Sequence, residues 1–173
     1  MPFKEEIKAK LTVAAIEYQK LLNTDFIIKS PDFKLKDEYT LRFHEDNFLH
    51  LTGVETKLTA KIYYEKCLGG ILLNEDFDCE SSSQIKGKVK EKLKHLVTIG
   101  EFFNKDLIFQ EYYKKNKVEC KLATSDGKCT LGFKEISNNI CVPLTLLNKN
   151  QIIKELEITN FVIYKNARNK IGK

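Results

Sequence analysis

The hydrophobic period of the chain changes near Lys105, and that change limits the folds open to it. Before this point apolar residues recur at three- and four-residue steps. After it they fall in short runs rich in β-branched and aromatic residues, the period of strands. The first helix is expected at about 3–23, with Phe3, Ile7, Leu11, Ala14, Ala15, Tyr18 and Leu22 on one stripe. Glu5 and Glu6 sit in its first turn, where the helix dipole favours negative charge. Thr59 suits the N-cap of a second helix, about 60–68, ending at Gly69-Gly70. Ser81–Ser83 precede a third, about 84–103, with the stripe Ile85, Val89, Leu93, Leu96, Val97 and Phe103. Between the first two helices lie short strand candidates at 25–29 and 39–43, and a helical turn at 45–51 closed by Gly53.

Beyond Lys105 the strand candidates are 107–113, 118–124, 129–136 and 140–147, separated by Lys115-Asn116, Ser125-Asp126-Gly127 and Ser137-Asn138-Asn139. A helical turn at 150–155 and a last strand at about 157–165 follow. Helices first and a meander afterwards define the α+β class. The expected architecture is a set of N-terminal helices packed on a C-terminal antiparallel β-sheet of four to five strands, as one domain over residues 1–173. The polar stretch NARNKIGK, 166–173, is expected to continue onward or fray.

Composition closes off several classes. The longest apolar runs are far short of the roughly 20 residues of a membrane span, and MPFKEEIKAK has no apolar signal core. Five cysteines, an odd number without a CxxC pair, argue against a disulfide framework or a zinc knuckle and for reduced thiols in a cytoplasmic protein. No P-loop, GxGxxG, GxSxG or paired acidic motif is present. The net charge of +5 permits a nucleic-acid partner without demanding one. Only Arg42 and Arg168 offer a bidentate guanidinium; the other basic residues are lysines.

The chain has three histidines, which restricts where protons can be moved near neutral pH. His44 and His50 lie in LRFHEDNFLHLTGV, residues 41–54. A six-residue separation turns two side chains about 120° apart on a helix, which does not suit one metal ion. RNA cleavage by the 2′-hydroxyl needs an acid, a base and cationic stabilisation, and no metal or other cofactor. His50, His44 and Arg42 are the residue types for it, with Asn47 and Thr52 as hydrogen-bond donors. The apolar neighbours Phe48, Leu49 and Leu51 are expected to bury part of the His50 ring and favour its neutral form. A core histidine bonded to a backbone carbonyl is the other reading of the same run. On the third helix, Lys88, Lys92 and His95 project from one flank and could follow a phosphate backbone. Lys86, Lys90 and Lys94 line the other flank as densely, which equally suits a solvated lysine face.

The stretch FHEDNFLHLTGV resembles the F-x-x-x-N-F-x-H-L-x-G pattern of a family of phage-encoded nucleases grouped with barnase, EndoU, colicin RNase domains and RelE by fold. The helix at about 60–68, the lysine-rich third helix and CKLATSDGKCTLGF, 120–133, carry the resemblance further along the chain. It implies a compact α+β fold, metal-independent RNA cleavage and a sheet flooring the cleft. Asn47, His50 and Gly53 transfer by motif, Gly53 as a backbone turn. The expectation is a small RNase of toxin or phage-conflict type. RNA would be its substrate, and a cognate antitoxin or a host or phage protein its partner. The rival reading is a non-catalytic interaction protein of the same fold, with Phe102, Phe103, Tyr112 and Tyr113 as interface anchors.

Overall fold

Hydroxyl caps and left-handed glycines set the helix limits in the computed structural model, which describes residues 1–168. The last five residues of the NARNKIGK stretch lie outside the described residues. The chain divides into two compact units, Met1–Leu21 with His44–Phe102, and Leu22–Phe43 with the chain from Phe103 onward.

The first unit is helical. Helix α1 (Phe3–Gln19) buries Ile7, Leu11, Ala14, Ala15 and Tyr18. After a 3-10 turn at Glu45–Asn47 comes the short helix α2 (Phe48–Thr52), stopped by Gly53 at φ 74°. Helix α3 (Ala60–Gly69) starts where the Thr59 hydroxyl accepts from the Ile62 N–H and stops at Gly70, φ 68°. Helix α4 (Ser83–Leu96) starts where the Ser82 hydroxyl accepts from the Ile85 N–H. It is shorter than expected: after the β-branched pair Val97-Thr98 the chain continues as 3-10 turns over Ile99–Asn104. Two-residue strands β3 (Glu55–Thr56) and β4 (Phe77–Asp78) pair antiparallel. The core of this unit is aromatic. Tyr18, Phe48 and Tyr64 meet at centroid distances of 5.1–5.7 Å, and Tyr63 lies 6.1 Å from Phe48. All four rings are buried, each worth roughly 1.5–3 kcal/mol of transfer free energy.

The second unit carries the sheet. Strands β1 (Thr24–Lys29), β2 (Glu38–Arg42), β5 (Ile108–Lys115), β6 (Val118–Ser125), β7 (Cys129–Ser137), β8 (Ile140–Asn148) and β9 (Val162–Ala167) form it. Their order is β5-β6-β7-β8-β2-β1-β9. The meander from β5 to β8 lies where the alternating runs place it. Ser125-Asp126-Gly127 makes its central turn: Asp126 accepts from the Lys128 and Cys129 N–H groups at 2.9 and 3.0 Å, and Gly127 has φ 92°.

The sheet has seven strands, more than the expected four to five. The segments at 24–29 and 38–42 join it through a short parallel pairing, Thr40 with Ile140 and Leu41 with Cys141. They then recruit β9 antiparallel to β1, with Ile28 opposite Ile163. The sheet is thus α+β and mostly antiparallel, but not built from the C-terminal half alone. β9 also begins later than the apolar pattern suggests, because Ile158 instead makes an isolated bridge to Phe109.

Candidate active site

The helical unit holds His44, Asn47, His50, Thr52, Lys88, Lys92 and His95, and the sheet unit holds Arg42. Local backbone chemistry fixes the first of these. His44 is extended, at φ −117° and ψ 155°, and leads into the 3-10 turn. Its carbonyl accepts from the Tyr18 hydroxyl at 2.7 Å and from the Asn47 N–H at 3.1 Å. Its own N–H donates to the Asn47 side-chain oxygen at 3.2 Å. Asn47 is therefore committed to the turn that shapes the motif. Desolvation, the largest influence, together with the charges of Tyr64 and Asp46, pushes the Tyr18 phenol well above its usual value, so it remains a donor.

The short helix α2 sorts its side chains sharply. Phe48, Leu51 and Thr52 point inward, while His50 faces solvent. The expected partial burial of the His50 ring does not occur, and neither does the core-histidine arrangement. The apolar neighbours occupy other angles around a helix of five residues and leave the ring outside. Thr52, at 0% exposure, donates to the Leu49 carbonyl at 2.7 Å, lies 3.3 Å from the Tyr63 hydroxyl and accepts from the Val54 N–H. The expectation that it donates to substrate gives way to a structural role, because its hydroxyl is used inside the fold.

Gly53 has two reasons to lack a side chain. Its left-handed conformation disfavours a Cβ. A Cβ there would also stand 3.1 Å from Lys92 Cδ and 3.3 Å from Lys88 Cγ. The stems of two lysines one helical turn apart thus lie across the end of the His50 helix. Lys88 is exposed and Lys92 half-buried. Burial, and then the neighbouring Lys88 ammonium, push the Lys92 ammonium down to about 8. His95, half-buried, follows Lys92 by three residues on α4. The glycine in the motif was visible in the sequence, but not the lysines it admits. Tyr18, which holds the His44 carbonyl, looks from sequence like any core residue of α1.

Arg42 is directed elsewhere. Its Nε and Nη2 donate to the two Asp25 oxygens at 2.9 and 2.7 Å, and Arg168 Nη1 lies 3.6 Å from the same carboxylate. The hydrogen bond to Asp25 raises the Arg42 pKa further. The fork expected to grip a phosphate grips a carboxylate that is only 7% exposed.

Among the described residues, no group of three or more His, Cys, Asp or Glu is placed to hold a metal ion. Nor is any helix there long and apolar enough to cross a membrane. The five cysteines are buried free thiols.

A family model described as phage-Barnase-EndoU-ColicinE5/D-RelE like nuclease4 matches residues 10–173. The chain belongs to this nuclease family, and the match takes in the motif, the lysine-bearing helix and the meander. A search of curated proteins and a search of solved structures each found no match. Family membership supports a nuclease-type function and a nucleic-acid substrate.

Proposed function

We propose that the protein is a metal-independent ribonuclease of toxin or phage-conflict type, acting in the cytoplasm. His50 takes the proton of the attacking 2′-hydroxyl, and Lys88, Lys92 and His95 bind the phosphate backbone. The observation that carries this reading is the seating of two lysines on Gly53, the residue that ends the His50 helix. An exposed imidazole can reach a substrate and exchange its proton with water, and cationic stems beside it offer charge to the phosphorane. His44 is the second candidate for proton transfer, held on the same motif by Tyr18 and Asn47.

Incubation of purified protein with a defined RNA in excess chelator tests the proposal. The expected products end in 2′,3′-cyclic phosphates, with 5′-hydroxyls on the downstream fragments. Salt-sensitive binding without cleavage would identify a non-catalytic nucleic-acid binder instead. Where the protein neither cuts nor binds RNA, capture of a cognate protein becomes the reading to pursue.

A further inference from the structure

Lysines are abundant on α4, yet they are not equivalent. Lys86, Lys88, Lys90 and Lys94 are exposed, and Lys92 is half-buried. The difference has a local cause. Gly53 presents bare backbone to α4, and the Lys92 stem lies against it, where a Cβ would come within 3.1 Å of Cδ. α2 begins at the inward-facing Phe48, packed against Tyr18 and Tyr64, and ends at Gly53, so the surface that receives Lys92 is rigidly held. His50 lies one turn before that glycine on the same helix.

We propose that Lys92 is the general acid of the cleavage, giving its proton to the 5′-oxygen as that oxygen leaves phosphorus. This assignment rests on the ribonuclease reading above. The 2′-oxygen forms a bond to phosphorus while its proton passes to the His50 imidazole. The phosphorus–O5′ bond breaks, and O5′ receives a proton from Lys92 Nζ. The products are a 2′,3′-cyclic phosphate and a 5′-hydroxyl, with His50 protonated and Lys92 neutral until both exchange protons with water. An ordinary lysine, with a pKa near 10.4, is a weak acid at neutral pH. Lys92, lowered to about 8 by burial and then by Lys88, still carries its proton at pH 7 and releases it more readily. Lys88, exposed and one turn away, supplies charge for binding without that advantage.

The full chain carrying Lys92→Arg, Lys92→Gln or Lys88→Met is assayed on two substrates. One is a dinucleoside monophosphate. The other is uridine 3′-(4-nitrophenyl phosphate), whose leaving group needs no proton. Thermal melting of each variant checks that the fold is kept, and the conservative Lys92→Arg retains the charge. Both Lys92 variants are expected to lose ~100-fold or more in kcat on the dinucleotide and little on the nitrophenyl ester, whereas Lys88→Met raises KM on both. Equal losses on the two substrates, or no loss on either, would overturn the assignment of the acid and leave the ribonuclease reading standing. A wild-type protein that cleaves neither substrate would overturn that reading and the assignment with it.

Discussion

Lys92 rests its stem on the backbone of Gly53, and a Cβ at residue 53 would stand 3.1 Å from Lys92 Cδ. The contact joins the end of one motif helix to the middle of another helix, and it gives the motif's glycine a role beyond turning the chain. Gly53→Ala therefore meets two penalties, a left-handed φ of 74° and a crowded lysine stem. The strained backbone alone costs about 1–2 kcal/mol. The variant should melt at lower temperature and also lose cleavage beyond its loss of folded protein. Chemical denaturation and a cleavage assay on the folded fraction check both.

Tyr18→Phe keeps the ring in the aromatic cluster but removes the 2.7 Å hydrogen bond to the His44 carbonyl. The expected cost is about 1–2 kcal/mol, because a packed acceptor loses a partner. Backbone amide exchange at Asn47 should also rise, since its N–H bonds to the same carbonyl.

Asp25 neutralises both arginines of the chain. Asp25→Ala leaves two guanidinium groups close together without their shared carboxylate, and should cost about 2–3 kcal/mol. Because both cations remain, denaturation in raised salt should recover part of the loss. An unchanged unfolding midpoint would contradict the role assigned to Arg42 as a strand tie.

Asp126 gives the sheet unit an acid-sensitive turn. Burial opposes its ionisation, but the Cys129 and Lys128 amides and the Lys105 ammonium outweigh it, so the carboxyl pKa is lowered. A lowered folded pKa means the unfolded chain takes up the proton first. The stabilisation is complete above the unfolded value of roughly 4 and is lost as the pH falls through the folded value. Stability measured from neutral pH down to that range should fall less steeply in Asp126→Ala than in the wild type.

The thiols should be silent until the chain unfolds. Desolvation raises all five, Cys67 and Cys129 to about 12 and Cys79, Cys120 and Cys141 to about 11. At pH 8 they are protonated as well as buried, so a thiol reagent should modify native protein slowly and the denatured chain quickly.

Local signals carried much of the fold. Thr59 and Ser82 start their helices, Gly53 and Gly70 end theirs, and Asp126-Gly127 turns the meander, each through chemistry confined to a few residues. What local signals could not disclose was pairing between distant segments. Thr40 beside Ile140 brings a hairpin from the first half of the chain into the sheet, and only the assembled edge of β8 makes that favourable. The site follows the same division. The motif marks out His50 and Gly53, but a five-residue helix is too short for its stripe to show which way His50 faces. Thr52 and Arg42 have the right chemistry for a site, and only their partners reveal that both are used inside the fold. Lys92 differs from its fellow lysines solely through what lies beside it.

His50→Ala, followed by RNA cleavage and thermal unfolding on the same preparation, tests the central claim most directly. His50 is exposed, so its removal should leave the unfolding midpoint where it was. Loss of a general base should lower the cleavage rate roughly 10²–10⁴-fold. A His50→Ala protein that melts like the wild type and cuts RNA at the wild-type rate would contradict the account.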